Sequence, residues 1–168
     1  METDVTTGGK QNFSMDAAVL PTEFIQDLVD QYRNKQLSYI DANLGMQDAH
    51  SIWFDLQTIK KFIAEIESEA LRIDPHCQTK DLGIRLYYGA YSETPSQPIP
   101  QDYGKRHTIV MIPTKLKEAE GGDMLNFDFN PFEDKNSDNE QALALTPGAL
   151  GQNHGALIPP NNSIVESY

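Results

Sequence analysis

Two strand-forming segments joined by a proline-rich loop constrain the fold of this chain most strongly. Residues 83–92, GIRLYYGAYS, alternate apolar and polar side chains, and residues 108–113, TIVMIP, form an apolar run. The loop between them carries Pro95, Pro98 and Pro100 and shows no helical pattern. Parallel neighbours need a long crossover, usually a helix, so these two strands are predicted to pair antiparallel. The pattern therefore favours an α+β fold over a doubly wound α/β fold.

Two amphipathic segments are predicted to be the helices that pack on this sheet. The first begins near Thr22, which is expected to cap it, and continues to a stop at Gly45. The second follows a short strand at 51–54 and begins after Asp55, a favourable N-cap. It should end before Asp74, because the residue ahead of a proline avoids helical angles. The apolar side of this second helix consists of Leu56, Ile59, Phe62, Ile63, Ile66 and Ala70.

The predicted fold class is α+β, with two main helices packed on one side of a small, mainly antiparallel sheet. Residues 19–160 form the predicted domain, and Trp53 is expected to lie in its core. Residues 1–18 are polar and predict a disordered N-terminal tail, and residues 161–168 are treated as a C-terminal tail. The sheet is expected to contain one strand from the C-terminal third together with 51–54, 83–92 and 107–114.

The charge balance and the cysteine count narrow the classes of function. The 168 residues include 25 acidic and 13 basic side chains, which gives a net charge of −12. This acidity argues against nucleic-acid binding, which needs clustered Lys and Arg. No apolar run approaches the roughly 20 residues of a membrane span. The N-terminal region lacks the pattern of a secretory signal, and the lone Cys77 excludes an internal disulfide framework, so a cytoplasmic location is predicted.

One face of the strand at 83–92 is a candidate anion site. Arg85, Tyr87 and Tyr91 lie on the face opposite the predicted core, and a guanidinium beside phenol groups can hold a carboxylate or phosphate. His154, in a loop between Asn and Gly, is a candidate to join them. In the alternative interpretation, Arg85 makes a structural ion pair with an acidic group from 118–140. The tyrosines then cover apolar surface.

An acidic stretch is a second candidate site, in this case for a metal ion. Asp134, Asn136 and Asp138 place oxygen donors at alternate positions, as calcium loops do. However, Leu145 stands where an EF-hand needs a bidentate Glu, so no tight calcium site is predicted. The common nucleotide, nucleophile and dithiol motifs are missing from the sequence. No cofactor and no nucleophilic catalysis are predicted.

Four segments form a recognisable order along the chain. They are Tyr32-Arg33-Asn34, Gly83–Gly89 with the letters GIRLYYG, Ile109–Pro113, and Asn153–Pro160 with its closing Pro-Pro. In this order they resemble a loose group of small bacterial cytoplasmic proteins with no known activity. That group shares a Tyr-Arg-Asn helix, a Gly-Ile-Arg-x-Tyr-x-Gly strand and a C-terminal Pro-Pro.

The resemblance covers about residues 22–160 and implies the extent of the domain and a bacterial, cytoplasmic setting. It implies no chemistry. Many members of the group have Cys beside the Pro-Pro, where this chain has Ile158, so the resemblance implies no metal or redox role at that corner.

Two hypotheses for function follow from these observations. The first is a non-enzymatic binding or partner-interaction domain, because no catalytic constellation is present. The second is an enzyme or sensor that binds a small anionic ligand or a metal through Arg85, Tyr87 and His154. A concave pocket where those three side chains converge would favour the second hypothesis, and a dispersed arrangement would favour the first.

Overall fold

Helices and antiparallel strands are combined in one α+β chain, which confirms the predicted fold class. The structure, a computed structural model, describes residues 19–132, 148–161 and 165–168. The helical elements are α1 (Thr22–Gln31), a π-helical segment (Tyr32–Leu37), α2 (Ser38–Leu44) and α3 (Leu56–Ile73). The strands are β1 (Ser51–Trp53), β2 (Leu82–Ala90), β3 (His107–Glu118), β4 (Met124–Asp128) and β5 (Ala156–Ile158).

The strands form two sheets, where the sequence predicted one. The larger sheet has the order β2-β3-β4, so the apolar strand β3 lies at its centre. The prediction that 51–54 joins this sheet is wrong, because β1 pairs with β5. Both sides of β3 are occupied, one by β2 and the other by β4 and Gln152, which exchanges two backbone hydrogen bonds with Met111. The chain beyond Gln152 then continues into β5, which brings β1 alongside.

The helix ends follow the local sequence, with one exception. Gly45 ends α2 in the left-handed conformation with φ of 64°, as predicted. The carboxylate of Asp55 caps α3 by accepting the Thr58 N–H at 2.8 Å, also as predicted. The prediction that Thr22 caps α1 is wrong, because Thr22 is already helical and extended Pro21 precedes it without a side-chain cap.

The core lies between α3 and the face of the larger sheet that carries Met111. Phe62 and Ile66 of α3 are buried against Met111. Partly buried apolar residues surround them: Phe54, Ile59, Leu82, Ile109 and Leu150. Three residues predicted to be buried are instead exposed: Leu56 by 67%, Ile63 by 41% and Trp53 by 51%. Ile63 follows Phe62 by one helical step of about 100°, which turns it towards the open rim beside β2.

Some sequence predictions concern residues outside the described part of the chain. These are the N-terminal tail, 1–18, and the oxygen donors Asp134, Asn136 and Asp138. Within the ranges that the structure does describe, no helix combines the length and the apolar character that crossing a bilayer requires.

Candidate functional site

The guanidinium of Arg85 is held by groups of β4. Its Nη1 pairs with Asp128 Oδ1 at 2.5 Å, and its Nη2 donates to the carbonyl of Asn126 at 2.8 Å. The Tyr87 hydroxyl donates to the second oxygen of the same carboxylate. The hydrogen bond with Tyr87 and the charge of Asp128 raise the pKa of Arg85 above its ordinary value. Arg85 therefore has the internal carboxylate partner, from the 118–140 segment, that one interpretation of the sequence expected.

Tyr91 belongs to a different cluster. Its hydroxyl donates to the side-chain oxygen of Asn153, which also accepts from Thr108 Oγ1 at 3.3 Å. Exposed His154 is the next residue along that loop. Six strand positions separate Arg85 from Tyr91, about 20 Å of extended chain. None of the cavities described below is lined by Arg85, Tyr87, Tyr91 or His154. The four candidates are therefore dispersed over two clusters.

Other polar residues converge around His50, at the start of β1. Three cavities meet this histidine, with volumes of about 320, 330 and 280 Å³. The first, here called the clamp groove, is lined by Val29, Arg33, His50, Ser51 and Trp53 among others. The second, here called the imidazole cavity, is lined by Tyr32, Ala49, His50, Ser51, Ile52, Tyr88, His107, Thr108 and Ile109. All four segments that carry the resemblance contribute to these cavities: the first through Tyr32 and Arg33, the others through Tyr88, Ile109 and Ile158.

The clamp groove holds the carboxylate of Glu166. The Ser51 hydroxyl donates to Oε1, and Oε2 lies 3.3 Å from both Arg33 Nη2 and His50 Nδ1. Arg33 also donates through Nη1 to the backbone carbonyl of Tyr168 at 2.7 Å. We call Arg33, His50 and Ser51 the carboxylate clamp. The side chains of Arg33, His50 and Glu166 are each about three-quarters buried, with exposures of 28%, 25% and 26%, so this contact is less solvated than an ordinary surface ion pair.

Arg33 has donor capacity that the described residues do not use. Its Nε is buried, and within the described ranges no acceptor lies within hydrogen-bond distance of it. A buried donor without a partner costs free energy, so the position favours a further acceptor supplied by water or ligand. Arg33 lies in the π-helical segment, and π-helical turns occur preferentially at functional sites.

Consecutive residues of the π-helical segment face the two adjacent cavities. Tyr32 lines the imidazole cavity and Arg33 lines the clamp groove. The pKa of Tyr32 is raised, first by burial and then by the nearby charges of Asp48 and Asp41. The phenol is therefore protonated at neutral pH and available as a hydrogen-bond donor.

The buried carboxylate of Asp48 holds the residues that lead into β1 against the start of β3. The side chain of Asp48 is fully buried. Its Oδ1 accepts the backbone N–H groups of Ala49 and His107, each at 2.7 Å, and its Oδ2 is bonded to His107 Nδ1. Asp41 in turn accepts the backbone N–H of Asp48 at 2.7 Å. These bonds tie the segment that leads into β1 to the first residue of β3.

Sequence reasoning missed the clamp and the buried carboxylate. Arg33 stood out in the sequence only as part of the Tyr-Arg-Asn motif, and no pattern singled out His50 or His107. One signal was present, since polar Asp48, His50 and Ser51 stand directly before and at the start of a short strand. Within the described ranges, no group of three or more His, Cys, Asp or Glu side chains is placed to hold a metal ion.

Comparison of the chain with protein-family models, curated proteins and solved structures finds no match. A proposal for the function of this chain therefore rests on the geometry around His50.

Proposed function

We propose that this chain is a partner-binding domain that recognises a carboxylate of an extended protein segment through Arg33, His50 and Ser51. The observation that carries the proposal is the position of Glu166, whose carboxylate accepts hydrogen bonds from Arg33 and Ser51 and lies 3.3 Å from His50 Nδ1. A guanidinium keeps its charge at any physiological pH and presents its donors in a fixed fork, which suits carboxylate recognition. The proposal retains the cytoplasmic setting predicted from the sequence.

The apolar walls of the clamp groove indicate what surrounds the partner's carboxylate. Val29, Ile52 and Trp53 line the groove beside the clamp. Trp53 is half-exposed, and exposed Trp and Arg side chains are frequent anchors of binding surfaces. A matching segment carries Glu or Asp with apolar or aromatic residues next to it, as Val165 and Tyr168 lie near Glu166 here.

A partner's carboxylate is expected to bind as Glu166 does. The segment 165–168 therefore competes with the partner for the groove. A tethered segment reaches an effective concentration on the order of millimolar, so a free partner must exceed that to displace it. Removal of the Glu166 charge weakens the competitor without changing the clamp itself. The variant Glu166→Gln is therefore the right receptor for a binding test.

The proposal is tested by titrating Glu166→Gln protein with the peptide Ser-Ile-Val-Glu-Ser-Tyr and with the same peptide carrying Gln. Trp53 is the only tryptophan and lines the groove, so its fluorescence reports on this site. We expect the Glu peptide to bind about tenfold more tightly than the Gln peptide, because a charge-assisted pair is lost with Gln.

The matched controls are Arg33→Lys and Arg72→Lys. Arg33→Lys should reduce the preference for Glu, since a point charge replaces the fork. Arg72 pairs with Glu69 on the surface of α3, away from the groove, so Arg72→Lys should leave the preference unchanged. Equal binding of the two peptides, or an unchanged preference in Arg33→Lys, would contradict the proposal.

The alternative function, an enzyme or sensor for a small anion or a metal at Arg85, Tyr87 and His154, has less support. Both terminal nitrogens of Arg85 already donate to β4, and His154 adjoins a separate cluster.

A further inference from the structure

We propose that the imidazole cavity is a second ligand site, which takes a small, uncharged, planar molecule with a hydroxyl group. His107 is the acceptor for that hydroxyl. The proposal does not require a protein partner at the carboxylate clamp, although His50 and Ser51 of the clamp also line this cavity.

Asp48 holds the ring of His107 in one orientation. The carboxylate of Asp48 accepts two backbone N–H groups and is bonded to His107 Nδ1. An ionised carboxylate only accepts, so the Nδ1 of His107 carries the proton and donates it to this bond. The second ring nitrogen, Nε2, has no hydrogen-bond partner among the described residues. In the neutral form of the ring, a proton on Nδ1 leaves the lone pair of Nε2 free to accept a hydrogen bond.

The volume and the lining of the imidazole cavity suit a small planar molecule. Its volume is about 330 Å³, which lies at the lower end of small-molecule sites. Ala49, Ile52 and Ile109 supply apolar wall. Two phenol rings, those of Tyr32 and Tyr88, complete the lining and suit stacking on a planar ring. Apolar walls with a few polar groups are typical of ligand pockets.

Tyr88 is the most unusual of these residues. It is 91% exposed, although it lies on the same face of the sheet as core residue Met111. A large aromatic side chain that is left in water beside a cavity gains contact area when a ligand fills the cavity. The strand β2 holds the backbone of Tyr88 in place, paired with Ile109.

The charges around the cavity favour an uncharged ligand. Asp48 and Asp41 lie close enough to raise the pKa of Tyr32, so a second anion beside them is disfavoured. The Nη2 of Arg33 lies 3.4 Å from His50 Nδ1. Its positive charge disfavours a cation at the end of the imidazole cavity that His50 lines. A neutral hydroxyl donor satisfies His107 Nε2 without adding charge.

The test compares phenol with anisole, which has the same ring but no hydroxyl donor. Each is titrated into the full chain, and binding is followed by the amide NMR signals of Ser51 and Ile109. We expect phenol to bind about tenfold more tightly than anisole, because anisole leaves Nε2 unpaired. The ring nitrogen signal of His107 Nε2 should shift with phenol and stay in place with anisole.

The matched variant is His107→Asn. The amide nitrogen of Asn occupies about the position of the histidine Nδ1, so the bond to Asp48 is kept while Nε2 is removed. We expect this variant to bind phenol and anisole equally. His154→Asn, at an exposed position, should keep the preference for phenol, and Arg33→Lys should keep it too, which separates this site from the carboxylate clamp.

Equal binding of phenol and anisole by the natural chain would overturn the proposal. So would an undiminished preference in folded His107→Asn, or signal changes that fall outside the imidazole cavity. If His107→Asn does not fold, the Nε2 signal of the natural chain decides, since a resonance that phenol leaves unmoved contradicts the proposed contact.

Discussion

Arg85 and Arg33 are the same residue type, but their surroundings assign them different roles. Arg85 lies on β2, and its two terminal nitrogens bind Asp128 and a carbonyl of the adjacent strand β4. Arg33 keeps a buried Nε without an acceptor in the described ranges, and its other partners include Glu166. The first arrangement holds a sheet together, while the second leaves binding capacity for a ligand.

Arg85→Lys is expected to lower the melting temperature and to leave the protein insensitive to phosphate. A lysine cannot bind Asp128 and the Asn126 carbonyl at once with the geometry of a guanidinium fork. The measurement is thermal unfolding with and without millimolar phosphate. Lys61→Met, which removes an exposed pair with Glu65 on α3, serves as the control and should change the melting temperature less. An unchanged melting temperature in Arg85→Lys, together with phosphate stabilisation of the natural chain, would point to a ligand site instead.

At the scale of single elements, α3 shows how a one-residue step decides burial. Ile66 is 3% exposed and packs on Met111, whereas Ile63 is 41% exposed on the adjacent helical face. The amphipathic pattern alone assigns both residues to the same side of the helix. The difference arises because β2 does not cover the face of α3 that carries Ile63.

Ile66→Asp is therefore expected to unfold the domain, while Ile63→Asp should fold. An unpaired buried carboxylate costs several kcal/mol, a large part of the roughly 5–15 kcal/mol that stabilises a domain. At Ile63 the carboxylate can remain in water. Urea denaturation followed by circular dichroism distinguishes the two variants. Cooperative folding of Ile66→Asp, or loss of structure in Ile63→Asp, would show that the helix packs in another orientation.

The end of α3 is tied to β3 by an ion pair between Asp74 and Lys115 at 2.7 Å. The hydrogen bond from Lys115 lowers the pKa of Asp74 below its ordinary value of 3.8, and the same bond raises the pKa of Lys115 above 10.5. A lowered carboxyl pKa stabilises the fold above the unfolded pKa, and this contribution is lost as the pH falls through the folded value. For Lys115 the contribution is complete below 10.5 and is lost as the pH rises above it.

The stability gap between the natural chain and Asp74→Asn should consequently stay constant from about pH 5 to pH 9 and should shrink below about pH 4. Urea unfolding of both proteins at several pH values measures this gap. A gap that grows on acidification would mean that Asp74 is not stabilised as an ion in the folded state.

Much of the fold follows from local sequence, but the site does not. Alternation placed Arg85 opposite the core, and Asp55 marked the start of α3, because both signals act within a few residues. The contacts around His50 join positions far apart, with 135 residues between Arg33 and Tyr168 and 59 between Asp48 and His107. No helical or strand period links such positions. They meet through tertiary contacts: Asp48 binds His107 directly, and the chain after Gln152, which pairs with Met111 of β3, enters β5 beside β1.

At the scale of the whole molecule, the two sheets and the π-helical segment meet around His50. The clamp groove and the imidazole cavity both use His50, Ser51 and Ile52 of the β1 region. The buried carboxylate of Asp48 fixes that region to β3. The hydrogen bonds around Asp48 thus support both of the proposed binding sites, whose donors need fixed positions.

The pairing of Arg33 with Glu166 is the contact on which this account depends, and a double-mutant cycle measures it most directly. The free energies of unfolding of the natural chain, Arg33→Met, Glu166→Gln and the double variant give the coupling energy of the pair. Because both side chains are about three-quarters buried, we predict a favourable coupling of about 1 kcal/mol, at the upper end of exposed ion pairs. Additive effects, with a coupling within about 0.3 kcal/mol of zero, would contradict the claim that Arg33 binds a carboxylate in this groove.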